Sequence, residues 1–276
     1  MGTKLLIIDP QNDFCDVEGA ALPVPGASAD LMRLGNLIAR LGDAIGDITI
    51  TLDSHPSVAI ERVTFWRRAD DEPVSPFTEI TEAMVREGRY APRDGDLRPQ
   101  VLEYLRRLEA QGGYHLTVWP VHGVLGTWGH HIYAPLAQRI TAWEVHAQRQ
   151  AAKVLKGTNP LTEHYSAIRA EVPRADDPGT GVNQALIERL RPAQGERLLV
   201  AGEASSHCVR ATVLDLLQAF DDAQRMRIVL LTDCMSPVRG FEPQTGALFE
   251  AAREAGAECM TSTAVLTALE QEGPCR

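Results

Sequence analysis

Apolar positions along the chain follow two periods. Short continuous runs at Lys4-Leu5-Leu6-Ile7-Ile8, Asp47-Ile48-Thr49-Ile50-Thr51-Leu52, Tyr114-His115-Leu116-Thr117-Val118, Ala152-Lys153-Val154-Leu155, 197–201 and Arg227-Ile228-Val229-Leu230-Leu231 read as buried strands. Between them, spacings of three and four predict helices. The clearest are 28–41 (Leu31, Leu34, Leu37, Ile38, Leu41), the stretch carrying Val101, Leu102, Leu105 and Leu108 and ended by Gly112-Gly113, and 183–190. Two more follow at 208–220 (Val209, Thr212, Val213, Leu216, Leu217, Phe220) and 244–255, the latter stopped by Gly256, and Glu258-Cys259-Met260-Thr261 adds a last short strand. Strands alternating with helices predict a three-layer α/β architecture, a doubly wound and mostly parallel sheet of strand order 3-2-1-4-5-6.

Periodicity fades between 61 and 100, where the text becomes charged and proline-containing. About 40 residues have little core of their own, so this reads as an insertion into a single domain spanning 1–276, folded over a pocket with Trp66 and Phe77 packing it down. Composition is that of an ordinary globular protein: 44% apolar and 23% charged. The net charge of −10, without a basic run, argues against nucleic acid as a partner. The absence of a membrane-length apolar run and of a leader predicts a cytoplasmic protein, with a small molecule as its partner and a homo-oligomer allowed. The five cysteines, Cys15, Cys208, Cys234, Cys259 and Cys275, have no tight spacing, which fits a reducing compartment and leaves no C-x-x-C metal knuckle. Cys275 lies in a chain end expected to fray.

Chemistry-bearing residues gather at strand ends, where open parallel sheets place their ligands. Asp9 closes the first strand, while Asp13 reads as turn chemistry and Phe14 as either core or one wall of a pocket. Asp53 and His55 follow the second strand and His122 the third, a carboxylate and two imidazoles able to converge on one divalent ion. His130 and His131 lie in a glycine-rich loop and read as supporting or solvent-facing groups. Lys156 ends the fourth strand and Cys208 opens the helix after the fifth; with strands 1, 4 and 5 adjacent at the switch point, Asp9, Lys156 and Cys208 share one crevice. The helix N-terminus favours negative charge, so Cys208 is either a small apolar residue closing the junction or a nucleophile with its thiolate stabilised.

These residues carry a family resemblance through DPQNDF at 9–14, DSHP at 53–56, WPVHG with GTWG at 119–129, KGTNPLTEHYSA at 156–167 and AGEASSHCVRAT at 201–212. The chain resembles the isochorismatase-like cysteine hydrolases, and within them the nicotinamidase group. The resemblance implies a Rossmann-like domain with Asp9, Lys156 and Cys208 as catalytic triad. It also implies Asp53, His55 and His122 as ligands of zinc, or of iron or manganese, and a cis peptide between Glu203 and Ala204. The amides of Ala204 and Cys208 would form an oxyanion hole. From the residues themselves, the aromatic Phe14 and Trp66 are read as lining a narrow substrate slot, with Tyr165 and His207 as further pocket residues. The chain departs from the family pattern at Gly123, often a cysteine, and at His207, often another aromatic.

The expected activity is metal-assisted hydrolysis of a small primary carboxamide, nicotinamide first among candidates, through a thioester on Cys208. Two alternatives are a metal-independent carbamoyl or ureido amidohydrolase of the same superfamily, and a non-catalytic protein presenting its 61–100 excursion to a partner.

Overall fold

The computed structural model describes residues 2–112 and 115–271. Gly113 and Tyr114, expected at a helix stop and a strand start, and the chain end with Cys275 lie outside the described residues. In chain order the elements are β1 (Gly2–Ile8), α1 (Ala27–Leu41), β2 (Ile45–Asp53), β3 (Trp66–Arg68), β4 (Thr78–Ile80), α2 (Glu82–Arg86), β5 (Tyr90–Pro92), α3 (Arg98–Ala110), β6 (Leu116–Val118) and α4 (Ala134–Ala147). They continue with β7 (Ala152–Lys156), α5 (Gln184–Leu190), β8 (Glu196–Gly202), α6 (Cys208–Ala219), α7 (Asp222–Arg225), β9 (Ile228–Leu231), α8 (Glu242–Glu254), β10 (Glu258–Met260) and α9 (Ser262–Gln271).

The main sheet runs β10-β9-β8-β1-β2-β7 and every pairing in it is parallel. Numbered by their appearance in this sheet, the strands have the expected order 3-2-1-4-5-6, but one assignment changes. The third strand is β7, whereas β6, expected there, pairs antiparallel with β4 in a separate two-stranded sheet. An apolar run states that a strand is buried without stating its partner. The main-sheet edge goes to residues 152–156, which pair with Thr49–Asp53 and set Lys156 opposite Asp53.

Alternate strand residues feed opposite layers. Leu5 and Ile7 of β1, with Ile48 and Ile50 of β2, pack under α1, α4 and α9. Leu6 and Ile8, with Leu198 and Val200 of β8, pack under α5, α6 and α8. The excursion has a hydrophobic cluster of its own, in which Ile60, Phe65, Trp66, Ile80 and Val85 close on Val101, Tyr104, Leu105 and Leu108 of α3 and on Leu116 and Val118 of β6. Its packing unit thus runs through 118, well past the expected limit. Trp66 is fully buried in it, its indole N–H donating to the Ile60 carbonyl at 2.6 Å. Phe77 is instead half exposed, its ring edge-on to Trp119.

Gly202 closes β8 at φ +118°, beside Ile8, its register partner in β1. A Cβ there would stand 2.0 Å from the Ile8 carbonyl oxygen and 2.5 Å from its nitrogen, both main-chain atoms with no freedom to retreat. Gly202→Ala is therefore expected to destabilise the fold by about 3 kcal/mol or more, combining backbone strain with separation of two central strands. Urea unfolding measures it, and a loss below about 0.5 kcal/mol, the range of an inert surface change, would refute this account of the junction.

Candidate active site

Three strand ends deliver the central groups. β1 ends into Asp9, β2 ends at Asp53 and β7 ends at Lys156. Cys208 follows β8 across a five-residue turn as the first residue of α6. Lys156 lies two strands from β1, not beside it as expected from the sequence, and reaches Asp9 past the intervening Asp53. Its ammonium is 2.7 Å from Asp53 Oδ1, 3.0 Å from Asp9 Oδ2, 3.0 Å from the His164 carbonyl and 3.5 Å from Cys208 Sγ. Asp9 adopts φ +45°, and Thr51 pins it by donating its hydroxyl to Oδ1 at 2.6 Å while accepting the Asp9 amide at 3.1 Å.

Burial sets the proton affinities here. Desolvation pushes the Cys208 thiol well above its ordinary range, with Lys156 acting against it. Burial thus works against the helix N-terminus and favours the protonated sulfur. Asp9 is raised too, by burial first, opposed by Lys156 and reinforced by the neighbouring Asp53 charge. For Asp53 burial works in the same direction, but His55 and Lys156 outweigh it and hold the carboxylate well below its usual range. Lys156 is raised well above the lysine range because Asp53, Asp9 and Cys208 overcome its desolvation. Of the two carboxylates on the ammonium, Asp9 is thus the one fitted to accept a proton.

Asp53, His55 and His122 are brought together, but their donor atoms face one another and an arginine. His55 Nε2 is 2.8 Å from Asp53 Oδ1, and its Nδ1 is 2.9 Å from Glu61 Oε1. His122 places Nδ1 2.8 Å from the Pro120 carbonyl and Nε2 3.4 Å from Asp53 Oδ2, and Arg62 Nη1 lies against the same ring, 2.8 Å from Nδ1 and 3.1 Å from Nε2. Burial and the Arg62 charge push His122 down to about 4. Arg62 is 1% exposed, with Nη2 3.7 Å from Asp53 Oδ2 and Nε 3.5 Å from Glu61 Oε1. Arg62 therefore adds a positive charge beside the expected set, while His55 and His122 each face one oxygen of Asp53. Ligand atoms of His55, Glu61 and Glu163 also lie within 4.8 Å of one another.

A narrow cavity opens onto Cys208, lined by Phe14, Trp119, His122, Glu163, Tyr165 and His207 among others. Trp66, expected in the lining, is absent from it; Trp119 supplies the indole, donating to the Tyr165 hydroxyl at 2.9 Å. His207 packs at ring-centroid distances of 5.0 Å from Trp119, 5.4 Å from Tyr165 and 4.7 Å from Phe241. Burial lowers it to about 4, so it stands in the aromatic cage as a neutral ring. The Glu203–Ala204 peptide is cis. His207 and Val209 both donate to the Ala204 carbonyl, and the amides of Ala204 and Cys208 have no main-chain acceptor among the described residues.

Several supporting groups escaped the sequence reading. Asp13 is more than turn chemistry: its carboxylate accepts the Gly123 amide at 2.8 Å and the Ala21 amide at 3.1 Å, tying the loop just after His122 to the segment that follows β1. Gly123 itself sits at φ +60°, where a Cβ would meet the Asp53 carbonyl at 2.9 Å, so this chain has no ready room for a cysteine there. His130 is buried and meets Ser54 Oγ at 2.8 Å, whereas His131 is exposed. Glu61 and Arg62 are buried because Trp119 donates its amide to the Glu61 carbonyl and so binds the start of the excursion to the loop carrying His122.

No family model matches the chain. A nicotinamidase of Escherichia coli K12 is 28% identical over 214 residues, 78% of this chain and 76% of the relative. The structure of the yeast nicotinamidase Pnc1p superposes with a TM-score of 0.64 at 18% identity, covering 94% of this chain and 99% of that one. An isochorismatase family protein from Desulfovibrio vulgaris superposes with a TM-score of 0.51 at 21% identity over 97% and 98%. The chain has the isochorismatase-like hydrolase fold. In this chain that fold's strand ends carry the Lys156-centred cluster and the cavity above Cys208.

Removing the ammonium would strip buried Asp9 of its ion-pair partner and leave Asp53 to His55 and the more distant Arg62. Lys156→Met is therefore expected to destabilise the protein by about 3–5 kcal/mol near neutral pH. The raised Lys156 contributes its stability at every pH below the ordinary lysine value and loses it only in strong alkali. The depressed Asp53 contributes above the ordinary carboxylate value of about 3.9 and loses its share as pH falls. The gap between variant and wild type should accordingly narrow as pH falls towards and below about 4. Urea titrations at several pH values read it, and a gap that widens on acidification would contradict the pairing.

Proposed function

We propose that the protein is a cysteine amidohydrolase that converts a small, flat primary carboxamide to its acid and ammonia, with nicotinamide the first candidate. The observation that carries this reading is the Lys156 ammonium, which gathers Asp9, Asp53 and the Cys208 sulfur at the foot of an aromatic cavity. The name of the 28%-identical relative supports the substrate. So do the walls: Phe14, Trp119, Tyr165 and His207 offer ring faces and edges to a planar guest, and none of them carries a charge to select phosphate.

The chemistry follows from the proton affinities. Asp9 takes the thiol proton of Cys208 as the sulfur attacks the amide carbonyl, and the thiolate developing in that step is met by Lys156. The carbonyl oxygen gains the electron pair and faces the amides of Ala204 and Cys208. When the C–N bond breaks, Asp9 returns its proton to the nitrogen and ammonia leaves, with the acyl group held as a thioester. Water then attacks the thioester, Asp9 takes its proton, and the departing sulfur recovers a proton as the carboxylate is released. Asp53 takes no proton in this scheme; its charge holds Lys156 and His55 in place. A divalent ion, zinc above iron or manganese for a nitrogen and oxygen donor set, would when bound act as a Lewis acid and orient a polar atom of the substrate. Asp53, His55 and His122, the set the resemblance implies, would hold it, with Glu61 and Glu163 adding carboxylates beside His55.

Ammonia release from nicotinamide, pyrazinamide, other small amides and N-carbamoyl compounds tests the reading. Wild type should turn over nicotinamide, Cys208→Ala should fall to background, and Asp9→Asn should lose about 10²–10⁴-fold in kcat. Mass spectrometry of the acid-quenched wild-type reaction should find the acyl group on Cys208. Turnover confined to N-carbamoyl substrates would overturn the substrate class, and full activity in Cys208→Ala would overturn the covalent route.

A further inference from the structure

We propose that Glu203 is a positioning residue for the reaction inferred above: as a neutral acid it donates its proton to Asp30 of α1 and so holds the turn between β8 and Cys208, which carries the Ala204 amide. The effect on turnover rests on that reaction; the proton itself is independent of any substrate. The turn is clamped by the segment that follows β9. The Ser236 amide donates to Glu203 Oε2 at 3.2 Å, and the Ser236 carbonyl accepts the Ser205 amide at 2.9 Å. The residues on both sides of Ala204 are thus fixed to one serine. The Ala204 amide, which has no main-chain acceptor among the described residues, takes its direction from them. Ser236 is fixed in turn by its hydroxyl, which donates to Asp30 Oδ2 at 2.6 Å.

Two buried acids meet behind this clamp, and they are not equally provided for. Glu203 is 0% exposed and Asp30 2%, and their carboxyl groups stand within hydrogen-bond reach of each other. Asp30 accepts the Ser236 hydroxyl on Oδ2 and the Arg33 guanidinium on Oδ1, so its charge has a donor at each oxygen. Glu203 Oε2 has one main-chain amide, and among the described residues no N–H or O–H reaches Oε1, a buried oxygen in need of a partner. A proton on Glu203, shared with Asp30, satisfies the pair and removes the second negative charge at once. The other charged and titratable groups on the surrounding elements are Arg33 of α1, Cys15 and Asp16 after β1, and Asp233 and Cys234 after β9. Asp16 is an anion, held down to about 2 by the Ser28 hydroxyl, and burial pushes both thiols up. Arg33 aside, and it is engaged by Asp30, no cation among these offsets a charge on Glu203. Burial first, and then the Asp30 charge, accordingly raises Glu203 well above the usual glutamate range. Burial raises Asp30 as well, with Ser236 and Arg33 acting against it.

Glu203→Gln decides the matter, because an amide keeps an acceptor for Ser236 and a donor for Asp30 without a titratable proton. Unfolded Glu203 ionises near the ordinary value of about 4.3 while the folded side chain keeps its proton, so above that pH wild-type folding takes up a proton and loses stability as pH rises. In urea titrations the folding constant of Glu203→Gln relative to wild type should therefore rise about 10-fold per pH unit between about pH 5 and pH 7. Infrared spectra of the wild type at neutral pH should contain a carboxylic-acid C=O band that shifts in D2O and is missing from Glu203→Gln. In the ammonia-release assay Glu203→Gln should keep kcat within about 3-fold of wild type. Glu203→Leu, or Glu203→Met where the leucine does not fold, should lose about 10–10²-fold in kcat with KM little changed, since the oxyanion donor is displaced and not the substrate. A relative folding constant that stays flat with pH, an acid band that survives in Glu203→Gln and vanishes in Asp30→Asn, or a Glu203→Gln that does not fold would each overturn the neutral acid. Wild-type kcat in the leucine or methionine variant would overturn the positioning role. A wild type that cleaves no amide removes the reaction and the positioning role with it, while the folding constants and the infrared band still decide the proton, so the two failures are told apart.

Discussion

The site depends on one buried ammonium. Lys156 is 2% exposed, far from the water that would ordinarily solvate it, and what replaces that water is two carboxylates and a main-chain carbonyl. An ion removed from water at a strand end is tolerable only with such partners, and the partners are tolerable only with it. The consequence is a mutual arrangement: Asp9 and Asp53 cannot both stay ionised without Lys156, and among the described residues Cys208 has no other cation in contact to meet a developing thiolate. Asp53 takes the larger share of the positive field because His55 adds to it. Asp9, pushed the other way by Asp53, becomes the proton carrier.

Sheet register makes that arrangement possible. Parallel strands finish together, so the residues just past their ends converge without long loops to hold them. Ile8 stands opposite Gly202 and Asp53 opposite Lys156, which brings the ends of β8, β1, β2 and β7 into one row. The turn from β8 into α6 is supported from below by Glu203, fully buried and raised well above the carboxylate range by burial first and then by Asp30 of α1. Ser236 ties the two together, donating its amide to Glu203 at 3.2 Å and its hydroxyl to Asp30 at 2.6 Å. A protonated Glu203 can stand against Asp30 as a hydrogen-bond donor where two anions could not. The nucleophile's turn is thereby anchored to a helix on the far side of the sheet.

What could be read from the sequence divides along the range of the forces involved. β1, β2, α1 and α6 were legible because local periodicity specifies them, and Asp9, Lys156 and Cys208 were legible because strand ends in such sheets are where side chains meet. The identity of the third strand was not, since β6 and β7 are both short apolar runs and only pairing with β2 distinguishes them. The burial of Glu61 and Arg62 was hidden for a similar reason. They stand where periodicity fades, and what encloses them is Trp119, some sixty residues away, through a bond to the Glu61 carbonyl. Trp66 was misplaced because a large aromatic serves equally well in a cavity wall or in the core of an excursion. The proton affinity of Cys208 was not legible, because a helix N-terminus is a local feature and desolvation is a property of the whole fold.

The excursion changes the meaning of the residues it covers. By carrying Arg62 onto His122 and Glu61 onto His55, it converts a histidine pair beside Asp53 into two differently charged halves. Arg62 serves both halves, with Nη1 on His122 and Nε 3.5 Å from Glu61 Oε1; burial lowers His55, but the Asp53 charge prevails and raises it to about 9. Burial amplifies this division, because charges a few ångströms apart in a water-poor interior act on one another far more strongly than on a surface. An insertion with a core of its own thus adds a guanidinium and a carboxylate to the ligand end of the sheet, while leaving the lysine, the aspartate and the thiol where the strand ends put them.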